Sequence, residues 1–206
     1  DRLMSRGLGD VYKRQHPEHY QDLAAKIVSE TPGAFFTDQF NNPSNPTIHE
    51  TTTGPEIWEQ MEGKIDAFVA GVGTGGTISG VGKFLKSKNK DIDIIVADPV
   101  GSVVADAVNT GAYKYENGSW LVEGIGEDHI PGNLNLDIID EGIYVSDKDA
   151  FEILNKLLQE EGILAGTSCG TLVHAAVEWC KLQKTPKKVV TLICDTGNKY
   201  LSKAYN

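Results

Sequence analysis

The sequence has few positive charges and almost no arginine. Its only arginines are Arg2, Arg6 and Arg14, and lysine and arginine together number 19 against 29 aspartates and glutamates. The formal net charge is therefore −10. Because proteins that bind nucleic acid need clusters of lysine and arginine for their phosphate contacts, this composition argues against that class.

Long hydrophobic runs and paired cysteines are also missing. No stretch of about 18 apolar residues is present, which argues against a membrane-spanning helix, and no signal-peptide pattern opens the chain. The three cysteines, Cys169, Cys180 and Cys194, show no CxxC spacing. An odd number of unpaired cysteines favours location in the reducing cytoplasm over a disulfide-bonded secreted protein. The five histidines have no metal-binding spacing. We therefore expect a cytoplasmic protein that binds a small molecule and no metal.

The first fifteen residues differ from the rest in composition. They hold all three arginines and a net charge of +2, whereas residues 16–206 carry a net charge of −12. They have no sustained apolar period, and they resemble translated sequencing-adaptor sequence fused to a truncated reading frame. We interpret residues 1–15 as a non-native head, with a natural basic arm as the alternative.

From residue 16 onward, helical and strand patterns alternate. The pattern predicts an amphipathic helix over residues 16–30, a short strand at 34–36 and a turn-rich joint at 41–46. It also predicts a buried strand at "IDAFVAG" and further strands at "DIDIIVADP", "IYV" and "KKVVTLIC". Ser146 is predicted to cap a helix, with Asp149 three residues later. Such alternation predicts a three-layer αβα fold with a mostly parallel sheet.

Five glycines fall within "VAGVGTGGTISG", residues 69–80, between a predicted strand and a predicted helix. At a helix N-terminus the first N–H groups lack partners and the helix dipole is positive, so a phosphate is the expected ligand. Glycine leaves these N–H groups uncovered, and the hydroxyls of Thr74 and Thr77 add two donors. The sequence therefore predicts a phosphate-binding cup from Gly73 to Thr77.

Two other interpretations of this loop remain open from the residues alone. Gly71, Gly73 and Gly76 match the GxGxxG pattern of dinucleotide-binding proteins, and Asp98 follows at about the expected distance. These residues would make the chain a Rossmann oxidoreductase that binds NAD. The other interpretation is a non-catalytic interaction protein in which the loop is a scaffold.

Five stretches of the chain resemble the fold-type II pyridoxal-phosphate enzymes of the cystathionine β-synthase and cysteine synthase family. They are "NPSNPTIHETTTGPEIWEQ", "VAGVGTGGTISGVGKFLK", "VEGIGEDHIPGNL", "EEGILAGTSCGTLV" and "CDTGNKYLSK". The resemblance runs from about residue 16 to the C-terminus and follows the family's order. It implies a tryptophan synthase β-like fold, truncated at its start, in which residues 16–45 end a small domain and residues 46–206 form the large cofactor-binding domain.

The resemblance also implies roles for particular residues. Five of them would hold the phosphate of pyridoxal 5'-phosphate: Gly73, Thr74, Gly75, Gly76 and Thr77. Ser168 would place its hydroxyl on the pyridine nitrogen, although from the residues alone it is an N-cap candidate for the helix that follows. Gly124 and Gly126 would lie at the substrate entrance.

Three further positions lie near these motifs. Asp195 resembles a family position near the pyridine edge, with a turn former as the alternative. His129 replaces the family's usual aromatic residue, and we expect it in an exposed loop. Cys194 replaces the usual proline before Asp195, and we expect a packing role for it.

The resemblance implies a β-replacement reaction on small amino-acid and thiol substrates, by an enzyme that forms a homodimer. "VADPVGS" and "VEGIGED" favour cystathionine β-synthase, which joins serine and homocysteine; the alternative is cysteine synthase, which uses O-acetylserine and sulfide. The family's Schiff-base lysine lies upstream of the matched part, and none of the sixteen lysines here stands in its context. We therefore name no catalytic residue and expect the chain alone to be inactive.

Overall fold

The computed structural model describes residues 20–114 and 118–205. The predicted non-native head, residues 1–15, lies outside the described residues. Among the helices that are described, none is long and apolar enough to cross a membrane.

Four parallel strands form the centre of the fold. They are β1 (Ala67–Ala70), β2 (Asp93–Pro99), β3 (Glu141–Val145) and β4 (Val189–Thr191). Their spatial order is β3-β2-β1-β4, so β1 pairs with both β2 and β4. Every residue of β1 is buried, as is every residue of β2 after its first. Burial on both faces is typical of a parallel sheet that is covered by helices on each side.

Helices fill the connections between these strands. The α-helices are α1 (Tyr20–Glu30), α2 (Ser44–Ile48), α3 (Gly54–Gln60), α4 (Gly76–Lys88), α5 (Val104–Thr110), α6 (Asp147–Glu161), α7 (Thr167–Lys181) and α8 (Leu201–Ala204). A π-helical turn, His49–Thr53, joins α2 to α3, and 3₁₀ turns lie at Leu136–Ile138 and Gly197–Lys199.

Two hydrophobic clusters lie on opposite faces of the sheet. On one face Leu85 of α4 packs with Phe68 and Ile94. On the other face Trp179 of α7 packs with Val69. Successive residues of a strand point to opposite faces, which explains why the neighbours Phe68 and Val69 belong to different clusters. The structure thus confirms the predicted three-layer αβα fold.

The predicted cap at the start of α6 is confirmed. The Ser146 hydroxyl accepts a hydrogen bond from the Asp149 N–H at 3.2 Å, and it donates to the Asp149 carboxylate at 2.6 Å. Gly162 ends the helix with a φ of 69°, a left-handed conformation that glycine adopts without steric cost.

The prediction of a strand at residues 34–36 is wrong. Residues 34–38 form neither helix nor strand, and the Phe35 side chain is 80% exposed. An apolar run forms a strand only where a neighbouring strand offers hydrogen bonds, and none of the described strands pairs with this one. The preceding helix α1 forms as predicted, but it has no buried residue, so its apolar face is not part of the described core.

One close contact fixes the segment of residues 44–53 against α4. A Cβ on Gly80 would lie 2.1 Å from the carbonyl oxygen of Pro46 and 2.7 Å from the Cβ of His49. Only glycine at residue 80 permits this approach. The contact places Asn45 and His49 next to the loop that precedes α4.

We predict that Gly80→Ala lowers the free energy of unfolding by about 2 kcal/mol, because the new methyl group would meet backbone atoms that cannot rotate away. Gly82→Ala is the matched control on the same helix. Its methyl group would meet the side chains of Ile138 and Ile94 at 3.0 and 3.2 Å, which can shift, and alanine gains about 0.5–1 kcal/mol of helix propensity. Urea unfolding measures both variants, and equal losses would contradict the assigned contact.

Candidate functional site

A cavity of about 830 Å³ opens at the carboxyl end of β1. Its wall includes the glycine loop that follows β1, the segment of residues 124–129, and Cys194 near the end of β4. Gln39 and Phe40 complete one side. In parallel α/β sheets, ligands bind beyond the carboxyl ends of the strands, so this cavity is the candidate site.

The predicted cup lies on the wall of this cavity. All five of its residues line the cavity: Gly73, Thr74, Gly75, Gly76 and Thr77. Gly75 has a φ of 80° and directly precedes α4, whose first residue is Gly76. The Gly76 N–H donates to Thr74 Oγ1 at 3.4 Å, and the N–H groups that follow it in the first turn of this 13-residue helix are available to a ligand. The donor set of bare N–H groups and two hydroxyls fits a phosphate.

The two threonines of the cup are held by side chains from the segment of residues 44–53. The Asn45 Nδ2 group donates to Thr74 Oγ1 at 2.9 Å. The His49 Nε2 atom lies 3.3 Å from Thr77 Oγ1, and its Nδ1 atom lies 3.0 Å from Thr53 Oγ1. Burial lowers the pKa of His49, so its ring is neutral at pH 7. Sequence reasoning missed Asn45, although it lies in a stretch that carries the family resemblance.

Gly124 and Gly126 both line the cavity and both have positive φ, 86° and 91°. Their surroundings differ. A Cβ on Gly126 would lie 2.5 Å from Pro99 and 2.7 Å from Trp120, whereas a Cβ on Gly124 would meet no atom within 4 Å. Packing therefore requires glycine at 126, and the space beside Gly124 is open to a ligand. Their role at the substrate entrance stays a prediction.

Ser168 is buried as the second residue of α7. The N-cap of that helix is Gly166, so the N-cap alternative for Ser168 is wrong. The Ser168 hydroxyl lies near the Cys194 thiol and acts to lower its pKa. Cys194 lines the cavity, whereas Ser168 and Asp195 are not among its lining residues. The pyridine roles of Ser168 and Asp195 therefore stay predictions.

His129 is not the exposed loop residue that we expected. Its side chain is only 16% exposed, and its ring lies on the cavity wall, 6.2 Å from that of Phe40. The Nδ1 atom lies 2.9 Å from the Asp128 carboxylate and 3.6 Å from that of Glu127. The possible ligand atoms of these three residues lie within 4.8 Å of one another, a spacing that the sequence analysis did not anticipate. Protonation of the imidazole would form an ion pair here.

The dinucleotide interpretation requires Asp98 to reach a ribose hydroxyl in the cavity, and it does not. It is fully buried and is not among the lining residues. One carboxylate oxygen accepts the Ala105 N–H at 2.8 Å, and the other has no partner among the described residues. Burial raises the pKa of this carboxyl to about 6. A ribose hydroxyl in the cavity therefore has no access to Asp98, and this support for NAD binding is lost.

Comparison with known proteins decides between the remaining interpretations. A family model described as pyridoxal-phosphate dependent enzyme matches residues 6–195. The chain belongs to this family. The match confirms the resemblance inferred from the sequence motifs, and with it the cofactor class of the family.

Two relatives illustrate the similarity. A cysteine synthase of Staphylococcus aureus (strain N315) is 45% identical over 179 residues, which are 86% of this chain and 56% of that protein. Cysteine synthase A of Escherichia coli (strain K12) is 41% identical over 189 residues, 88% of this chain and 57% of that protein. The chain thus spans a little over half the length of these relatives. Their names fit the cysteine synthase alternative better than the cystathionine β-synthase interpretation that we favoured.

We predict that ionisation of Asp98 opposes folding. Because its pKa is raised in the folded chain, the folded chain keeps this proton between about pH 4 and pH 6 while the unfolded chain has lost it. The contribution of Asp98 to stability therefore falls as the pH rises through this window. In Asp98→Asn this loss is absent, so the free energy of unfolding of the variant relative to wild type should rise by roughly 2 to 3 kcal/mol from pH 4 to pH 7.

Urea unfolding at a series of pH values tests this expectation. Asp91→Asn is the control, because its side chain is exposed at the start of the same strand region. The difference between wild type and Asp91→Asn should stay flat over the same range. A flat difference for Asp98→Asn as well would show that the carboxyl is not destabilising.

Proposed function

We propose that this chain supplies the phosphate-binding wall of a pyridoxal-phosphate-dependent enzyme that catalyses β-replacement of the cysteine synthase type. One observation carries the proposal: the loop from Gly73 to Thr77 faces a cavity of about 830 Å³ at the N-terminus of α4. Bare N–H groups at a helix N-terminus, together with hydroxyls, are a suitable site for a terminal phosphate.

Packing of the loop against neighbouring segments requires glycine at two of its positions. A Cβ on Gly73 would lie 2.8 Å from the carbonyl oxygen of Gly124, and a Cβ on Gly76 would lie 1.9 Å from Asn45 Oδ1. Since Asn45 and His49 hold Thr74 and Thr77 in place, both hydroxyls are oriented before a ligand arrives. Preorganised donors bind a charged group more strongly than donors that must first be ordered.

The cofactor of this family supplies an electron sink that acidifies the Cα proton of an amino acid and favours loss of its β-substituent. We assign Ser168 as the partner of the pyridine nitrogen. A neutral hydroxyl does not favour a protonated ring as a carboxylate would, and a weaker electron sink suits elimination and replacement at the β-carbon. Gly124 and Gly126 are assigned to the entrance that admits the substrates.

For the substrates we propose O-acetylserine and sulfide rather than serine and homocysteine. The names of the relatives support this choice. The charges of the cavity support it as well: its lining includes Glu127, Asp128 and His129, and no lysine or arginine among the residues that the structure describes. Homocysteine would bring a second carboxylate that needs a basic partner, whereas sulfide would not.

We predict that the chain binds pyridoxal phosphate through its phosphate group. Pyridoxal, which lacks the phosphate, should bind at least tenfold more weakly. Thr77→Val should weaken binding of pyridoxal phosphate by about tenfold, because a hydrogen bond to a charged group contributes about 1.5–3 kcal/mol. Titration calorimetry measures the three affinities. Thr51→Val is the matched control, because its hydroxyl donates to the Thr47 carbonyl of its own helical segment, away from the cavity.

Borohydride reduction separates phosphate binding from covalent attachment. No lysine lines the described part of the cavity, so we expect no single lysine to carry a pyridoxyl label after reduction and peptide mapping. A stoichiometric label at one lysine would contradict the expected inactivity of the chain alone. Equal affinity for pyridoxal and pyridoxal phosphate would contradict the phosphate cup itself.

A further inference from the structure

Two of the three cysteines meet beside the cavity. Cys169 is the third residue of α7 and is fully buried, whereas Cys194 follows β4, is exposed and lines the cavity. The Cys194 N–H donates to the Cys169 sulfur at 3.2 Å. The Cys169 sulfur also lies 3.8 Å from the carbonyl oxygen of the next residue, Asp195, so the pair is close in space although 25 residues separate it in sequence.

The backbone holds these two positions together. The Gly166 N–H donates to the Asp195 carbonyl at 2.9 Å, and the Gly197 N–H donates to the Leu164 carbonyl at 3.0 Å. These bonds join the residues before α7 to the residues after β4, next to the cysteine pair. The proximity of the two cysteines is therefore a property of the chain path.

The environment of the pair favours a thiolate at Cys169. The hydrogen bond from the Cys194 thiol lowers the pKa of the Cys169 thiol, and backbone hydrogen bonds act in the same direction. Cys169 also lies in the first turn of a 15-residue helix, where the helix dipole stabilises negative charge. The same interaction between the two thiols raises the pKa of the Cys194 thiol.

We propose that Cys169 and Cys194 are an oxidant-sensitive site and that they form a reversible disulfide when the chain meets a peroxide. Peroxide oxidises a thiolate, and only Cys194 of the pair is exposed, so the Cys194 thiol first passes its proton to the Cys169 thiolate. Hydrogen peroxide then oxidises the Cys194 thiolate to a sulfenic acid and releases hydroxide, which takes the proton from the Cys169 thiol and leaves as water. The Cys169 thiolate then attacks the Cys194 sulfur, the S–O bond breaks, and the leaving hydroxide takes up a proton to form a second water. Two thiols lose two electrons and two protons, and the peroxide is reduced to two waters.

The disulfide would change the cavity wall. Cys194 is the wall residue of the pair and the neighbour of the Ser168 hydroxyl. A bond to Cys169 would draw its side chain towards α7 and away from its present place on the wall. The inference does not depend on the proposed function, since it concerns two thiols of the chain and not the bound cofactor.

The test is thiol mapping of the full chain. The chain is treated with hydrogen peroxide, its free thiols are alkylated under denaturing conditions, and the peptides are mapped without reduction. We expect one alkylated cysteine, Cys180, and a cross-linked pair of peptides that contain Cys169 and Cys194. Dithiothreitol should restore three alkylated cysteines. Three alkylated cysteines after oxidation, a sulfinic acid at Cys194 without a cross-link, or a cross-link that includes Cys180 would each overturn the proposal.

Variants add a second measurement. Cys180→Ser should keep the cross-link, and its oxidation should raise the melting temperature by about 5 °C or more, because a disulfide restricts the unfolded chain. In Cys169→Ser a dimedone-reactive sulfenic acid should persist at Cys194, since no thiolate is present to resolve it. The wild-type peptide map needs no variant, so the test stands even if a serine substitution prevents folding. Absence of dimedone labelling in a folded Cys169→Ser chain would contradict Cys194 as the oxidised residue.

Discussion

The close approach of α4 to the segment of residues 44–53 is the constraint on which the site depends. A Cβ would lie 1.9 Å from Asn45 Oδ1 at Gly76 and 2.1 Å from the Pro46 carbonyl at Gly80. A larger residue at either position would force the segment away from the helix. Asn45 would then no longer reach Thr74. Glycine at these two positions is therefore required both for the packing of the fold and for the shape of the proposed phosphate cup.

The sequence predicted those parts of the fold that depend on local patterns. The buried strands, the amphipathic helices and the cap formed by Ser146 all follow from residues within a few positions of one another. Helix α5 was not predicted, because its position depends on a contact with a distant strand: a Cβ on Gly142 would lie 2.7 Å from Ala105. The strand at residues 34–36 was predicted wrongly for the same reason, since its apolar pattern does not reveal that no described strand pairs with it.

In the candidate site, too, local features were predicted and contacts between distant residues were not. The glycine density and its place between a strand and a helix were enough to predict a loop at a helix N-terminus, and the structure places that loop on the cavity wall. Its phosphate ligand stays a proposal, which rests on the local ligand preference of a helix N-terminus. The side chains that hold the cup come from 28 and 29 residues earlier, and only the fold reveals them. Asp98 illustrates the limit of spacing arguments: it stands at about the distance that a dinucleotide site requires, but its carboxylate is turned into the protein and bonds to Ala105.

The charges around the cavity explain why a phosphate here would depend on glycine backbone and not on basic side chains. A phosphate in the cup has no lysine or arginine on the described part of the wall, and the whole chain carries a net charge of −10. At long range this charge repels an anion and slows its approach. Attraction must therefore come from the N–H groups and dipole of α4, which act only within the first turn. A phosphate oxygen reaches those groups only where no Cβ intervenes, so binding at this site depends on bare backbone and not on a basic residue.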